Sequence, residues 1–222
     1  KTNSVKSEKE YFMEHLESET VLILKTLKCI KLLLEERISQ GMLPLYDYGL
    51  MSIDKQYGTI GFTGMFEAAN LLNLTCDTVD GVKYTDTGIC FVKDVLSKII
   101  ELKETSVCDY GFSANIEQIP GEKAVVTLAQ KDKLYLENKK LDFKTFQMYS
   151  NQWIPLISGT DYMTRVETSQ MFDKFGDGGT ILHINVENEF KSEEERWNLM
   201  MLLAKSNVIY YAFNRKISVC ED

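Results

Sequence analysis

The residues best suited to chemistry in this chain lie between Ser113 and Ala124, the run SANIEQIPGEKA. A strand pattern over 109–119 delivers the chain to Pro120, and a helix pattern over 122–133 starts just beyond it with Gly121, Glu122, Lys123 and Ala124. The first amides of a helix have no intrahelical acceptor, and its dipole favours an anion, so a phosphate group is the ligand class for such a corner. Gly121 lets a ligand approach the backbone closely, and Lys123 adds a full positive charge. The bland alternative is a strand-to-helix turn with no ligand, where proline is common anyway. A second glycine-rich run, GTIGFTGMFE at 58–67, spaces Gly58, Gly61 and Gly64 as G-x-x-G-x-x-G. That is not the dinucleotide fingerprint; it reads first as a tight turn with close packing.

Other chemistries find little support. His15 falls in an acidic helix pattern, and His183 inside a strand pattern reads as a satisfied core residue rather than a base. No Ser-His-Asp arrangement and no HExxH motif occurs. Cys29, Cys76, Cys90, Cys108 and Cys220 are scattered, odd in number and without a CxxC pair. Reduced thiols of a cytoplasmic protein fit them better than a secreted disulfide framework. Cys220 alone makes no zinc site.

The elements that must position these residues follow from periodicity. A long helix is predicted over 7–38, with Phe12, Leu16, Val21, Leu24, Leu27 and Ile30 at mostly three- and four-residue steps and Gly41 and Pro44 beyond its end. A mixed, extended stretch over 51–60 precedes a short helix over 62–72. Asp80-Gly81 is a turn, and 86–104 is an amphipathic helix facing inward through Ile89, Val92, Val95, Leu96 and Ile99. The run 146–153 reads as a strand, 161–175 as a helix ended by Gly176, and 180–186 (TILHINV) as a buried strand. Ser192 and Glu195 form a capping-box pair opening a helix through Lys205, and 207–213 is a last strand. Strand and helix alternate in the second half at α/β spacing, which implies parallel strands with ligands at their C-terminal ends.

Bulk properties agree with a globular chain. It has 222 residues, 44% hydrophobic and 26% charged, enough for one substantial core or two small ones. The net charge of −8 argues against direct nucleic-acid binding. No apolar run approaches a membrane span; the stretch 21–34 is interrupted by Lys25, Lys28 and Lys31. The first residue is Lys1 and not Met, which reads as an excised domain or a trimmed chain.

Taken in order, five segments resemble the large subunit of the anaerobic (class III, glycyl-radical) ribonucleoside-triphosphate reductases. They are GTIGFTGMFEAANLL (58–72), NIEQIPGEKAVVTLAQKD (115–132), YSNQWIPL (149–156), GDGGTILHINV (176–186) and YYAFNRKISVC (210–220). They are similar, respectively, to that family's glycine-rich G-x-x-G-hydrophobic-x-E-A segment, its E-x-x-P-A-E-S loop, its Y-T-N-S strand, its G-G-x-x-x-H segment and the strand leading to its zinc-binding cysteines. The resemblance implies an α/β fold: half of a ten-stranded barrel with mostly parallel strands and connecting helices. Residues 1–45 would be a long helix packing on the barrel, and 46–222 its C-terminal half, cut before the zinc cluster and the glycyl-radical segment.

The implied reaction is radical removal of the 2′-hydroxyl of a ribonucleoside triphosphate, with formate or a thiol as reductant. A radical-SAM activating enzyme would be a partner, and the full-length protein a homodimer in the cytoplasm. By the same resemblance Pro120, Gly121, Glu122, Lys123 and Ala124 hold substrate phosphates, Ser150 and Asn151 face the cavity, and Gly61, Thr63 and Gly64 line it. Cys220 would be the first zinc ligand, and no catalytic residue lies in this segment. The loop departs from the family at Gly121 and Lys123, the latter standing where a serine is usual, and the strand reads Ser150-Asn151-Gln152 for Thr-Asn-Ser. The segment Thr164-Arg165-Val166-Glu167 does not match the glycyl-radical signature. The alternatives are a barrel segment of another glycyl-radical enzyme, a formate-lyase or dehydratase relative, and a non-catalytic nucleotide-binding domain.

Overall fold

A computed structural model describes residues 7–186, 190 and 192–214. By compactness the chain divides into two units, one of Lys1–Gly61 with Lys93–Glu117, the other of Phe62–Val92 with Gln118–Asp222.

The first unit is built on α1 (Glu8–Ser39), the short α2 (Pro44–Asp47) and β1 (Tyr57–Phe62). To these it adds most of α4 (Asp86–Tyr110) and β4 (Ser113–Gln118), which pairs with β1. Ser7 starts α1 with a full capping box: its side chain accepts from Glu10 N, and Glu10 accepts from Ser7 N at 2.7 Å. The inward stripe is narrower than the spacing suggests. Leu24 is buried, Phe12, Leu16, Val21 and Leu27 are half-buried, and Ile30 is exposed. Six residues turn a helix by about 600°, so Ile30 points roughly 120° away from Leu24. Gly58 explains how α1 seats on β1: a Cβ there would lie 2.5 Å from Phe112 Cε2 and 3.1 Å from Leu27 Cδ1. Lys9 and Lys31 of α1 reach Asp94 and the Gly111 carbonyl, each at 2.8 Å. Inside lie Ile60, Val95, Leu96, Ile99 and Ile116. Helix α4 runs on through Tyr110, so β4 is shorter than the strand predicted over 109–119.

The second unit begins with α3 (Met65–Leu71) and the hairpin β2 (Thr75–Thr78) and β3 (Gly81–Tyr84). The hairpin is antiparallel with Thr78 opposite Gly81, a pairing that only its Asp80-Gly81 turn announced. Then come α5 (Glu122–Lys139), which runs past the predicted end at Lys133, and α6 (Tyr162–Phe172). The unit closes with β5 (Leu182–Asn185), α7 (Glu193–Lys205) and β6 (Tyr211–Asn214). The strands β5 and β6 are parallel, Leu182 facing Tyr211, with α7 as their crossover. Val166, Leu182, Ile184 and Leu203 form the core of this α/β element.

The strand predicted over 146–153 does not form. Its polar groups are used elsewhere: Tyr149 N donates to Val125 O at 3.4 Å, Ser150 N donates to Glu67 Oε2 at 3.1 Å, and Ser150 O accepts from Gly64 N at 2.8 Å. A segment bonded to helices α3 and α5 in this way has no ladder left to offer a strand. An aromatic layer backs it. Trp153 lies 5.4 Å from Phe62 and 5.2 Å from Phe172, and Tyr84 lies 5.6 Å from Phe172.

Asp161 caps α6, accepting from Met163 N at 2.8 Å and Thr164 N at 3.1 Å. Burial pushes its carboxyl up, but the bonds from Thr164 and Met163 and the charge of Arg165 outweigh that and hold it below the ordinary value. A depressed folded pKa gives stability that is complete above the unfolded pKa and lost as pH falls through the folded one. Asp161→Ala is therefore expected to lower unfolding free energy by about 1 kcal/mol at neutral pH. Denaturant titrations at a series of pH values should show that difference shrinking below about pH 4.

Candidate functional site

The second unit carries an open cavity of about 680 Å³. One wall is α3, through Phe66, Glu67 and Asn70. A second is the irregular segment between Lys144 and Ser158, and His183 and Asn214 of the parallel pair complete it.

The wall is set by a buried carboxylate. Glu67 is 3% exposed and accepts from both groups of one residue, Ser150 Oγ at 2.6 Å and Ser150 N at 3.1 Å. Ser150 O in turn accepts from Thr63 Oγ1 at 2.9 Å and from Gly64 N. Gly64 is left-handed, φ 76°, with the Tyr149 ring 3.5 Å from where a Cβ would stand. Only glycine takes that backbone routinely. Thr63, Gly64 and Ser150, predicted separately, are thus one bonded cluster, and Ser150 and Asn151 line the cavity.

The segment 154–160 is held from below by Arg165, 5% exposed. Its guanidinium donates to carbonyls: Nε to Thr160 at 3.0 Å, Nη1 to Ile154 at 3.0 Å and Nη2 to Pro155 at 2.7 Å, with Ser158 Oγ at 3.2 Å. Burial pulls this guanidinium below its ordinary pKa, and Asp161 opposes that. Asp173, 1% exposed, accepts from Trp153 Nε1 at 2.7 Å. Burial raises its carboxyl while the Trp153 bond resists. Tyr84 donates to the Trp153 carbonyl at 2.7 Å, and its phenol is raised by burial first and the Glu67 charge second.

His183 is half-buried. Its amide donates to Gln152 Oε1 at 3.1 Å, and its Nδ1 lies 3.0 Å from Asn214 Nδ2. Half-buried and in the cavity lining, it is not the core residue that its strand pattern suggests. The corner at Pro120–Ala124, expected from the sequence to take phosphate, is not part of the cavity wall. Among the described residues Pro120, Lys123 and Ala124 are exposed and Gly121 is half-buried. Gly121 is the N-cap of α5 and provides no side-chain cap. The corner is joined to the cavity segment through Tyr149 N and Val125 O. Gly61 is an exposed residue of β1 in the first unit. The Glu122 side chain and Cys220 lie outside what is described. No group of metal ligands occurs among the described residues, and Cys29, Cys76, Cys90 and Cys108 are free. No described helix is long and apolar enough to cross a membrane.

Glu67, Arg165, Lys144 and Asp173 were not among the site residues expected from the sequence. Glu67 had two signals, its place at the glutamate of the family's glycine-rich motif and a carboxylate within the apolar stretch of a short helix; the other three had none.

A family profile for anaerobic ribonucleoside-triphosphate reductase matches residues 2–222. The chain belongs to that family. Its fold is the α/β fold of the barrel region of those oxidoreductases. It is similar to an anaerobic ribonucleotide reductase at 47% identity and a TM-score of 0.89, over 96% of this chain and 33% of that one. It is likewise similar to the Thermotoga maritima anaerobic ribonucleotide reductase solved with glycerol in the active site, at 47% identity and a TM-score of 0.90, over 96% of this chain and 35% of that one. The same enzyme in complex with dATP and CTP matches at 47% identity and a TM-score of 0.88, with the same coverages. The chain thus spans about a third of the length of the solved reductases it matches. No curated protein matches it. The family is consistent with glycyl-radical chemistry, and the formate-lyase and dehydratase alternatives are not favoured.

The Glu67–Ser150 pair can be tested directly. Glu67→Gln leaves one Ser150 donor facing an NH₂ group, and Ser150→Ala removes the hydroxyl. A double-mutant cycle in denaturant is expected to give a coupling energy of about 1–3 kcal/mol. Additive single effects would refute the pairing.

Proposed function

We propose that this chain is a segment of the catalytic barrel of an anaerobic ribonucleoside-triphosphate reductase. The parent protein converts ribonucleoside triphosphates to 2′-deoxyribonucleoside triphosphates for DNA synthesis. The reading is supported most by the cavity with Ser150 and Asn151 in its wall and Thr63 and Gly64 bonded to Ser150, in a chain of this family. In this proposal residues 1–45 supply a helix packed on the barrel and 46–222 its C-terminal half.

The role of the segment is substrate handling. Pro120, Gly121, Glu122, Lys123 and Ala124 hold the phosphate chain: amides of the first turn of α5 donate to it and Lys123 balances its charge. Ser150 and Asn151 orient the nucleoside, with Glu67 fixing Ser150. Gly61, Thr63 and Gly64 keep the approach to the backbone open. A glycyl radical outside this segment supplies the one-electron chemistry, with formate or a thiol as reductant. Zinc held by a cysteine cluster starting at Cys220 serves structure, and the residues present supply only that one ligand. Partners are a radical-SAM activating enzyme and a second copy of the full-length protein, in the cytoplasm.

Steady-state kinetics of the parent protein test this. Lys123→Glu is expected to raise KM for a ribonucleoside triphosphate by about tenfold or more, since it exchanges an attractive for a repulsive charge near phosphate. An activated parent protein that reduces no ribonucleotide would end the proposal.

A further inference from the structure

The cavity wall has an uneven charge. Two carboxylates belong to it, Glu67 and Asp77, and one cationic side chain among the described residues, Lys144. An anion entering such a cavity is repelled at the acidic positions, with Glu67 buried and Asp77 exposed in its wall. Its charge is accommodated only where the ammonium stands.

Lys144 is also placed, although its residue is exposed. Its Nζ donates to Asn70 Oδ1 at 2.5 Å, and Asn70 Nδ2 donates to Thr75 Oγ1 at 2.6 Å, which fixes the amide's orientation. The ammonium also sits 5.5 Å from the centroid of the Phe146 ring. An ammonium has three N–H groups, so two remain for a ligand after Asn70 is served. Asn70 follows Glu67 by three residues on α3, so both face the same side of that helix. The acceptor end of the cavity, at Glu67 and Ser150, and its cationic end are therefore about one helical turn apart, roughly 5 Å along the axis.

We propose that Lys144, held by Asn70 and Phe146, is a second phosphate contact and sets the direction in which an oligophosphate ligand lies in this cavity. Hydroxyl donors of the ligand face Glu67 and Ser150, and its phosphate end faces Lys144. This rests on the substrate-handling reading above and extends it to a residue in the cavity wall itself, separate from the α5 corner.

The test is calorimetric titration of the chain with CTP, cytidine and inorganic tripolyphosphate. Lys144 is exposed, so its replacement leaves the fold intact. Lys144→Gln is expected to weaken CTP and tripolyphosphate about tenfold while leaving cytidine unchanged, and Lys144→Arg to stay within about threefold of the parent. Asn70→Ala, which frees the ammonium, is expected to give a smaller loss. CTP and tripolyphosphate binding unaltered in Lys144→Gln overturns the inference, and so does a chain that binds no tripolyphosphate. Should Lys144 govern tripolyphosphate while CTP gains nothing over it, the inference stands and the nucleotide reading falls. Should CTP bind tightly and respond to Lys123→Glu but not to Lys144→Gln, the nucleotide reading stands and the inference falls.

Discussion

The site depends on one buried carboxylate. Glu67 accepts from both the hydroxyl and the amide of Ser150, and the Ser150 carbonyl accepts from Thr63 Oγ1 and Gly64 N. A charge taken out of water is tolerated only when its lone pairs are met. Meeting them here requires the segment around Ser150 to leave any sheet and lie against α3. The irregular cavity wall is therefore a consequence of satisfying Glu67, and the left-handed turn at Gly64 is what brings the other half of the cluster into range.

Two further buried polar groups extend that constraint along the same segment. Arg165 donates its N–H groups to the carbonyls of Ile154, Pro155 and Thr160, which a non-repetitive backbone would otherwise leave unpaired. Asp173 fixes the Trp153 indole, and Tyr84 takes its carbonyl. The segment carrying Ser150 and Asn151 is thus held by side chains rather than by a ladder. Such side-chain bonds fix the course of a segment that has no ladder to hold it.

Reading the sequence went furthest where the signal was local. The capping serine Ser192, the amphipathic face of α4 and the parallel pair with its crossover helix were legible from spacing alone. The resemblance of five ordered segments led to the family. Spacing failed where long-range bonds override propensity: the 146–153 run has strand-like residues, yet its amides and carbonyls are taken by α3 and α5. Ile30 failed for a geometric reason, lying off the buried stripe of α1 despite its place in the series.

What the sequence alone determined is the family and the α/β class, because residue type, order and period are properties of the chain itself; it also singled out Ser150, Asn151, Thr63 and Gly64, which the structure brings into or against one cavity wall. Which of these meet, and that Glu67, Arg165 and Lys144 stand with them, was decided only by tertiary structure. The bonds concerned join residues as far apart as Glu67 and Ser150, 83 positions along the chain. Nothing in local spacing records a partner at that distance, since burial and satisfaction of a polar group exist only once the chain has closed around it.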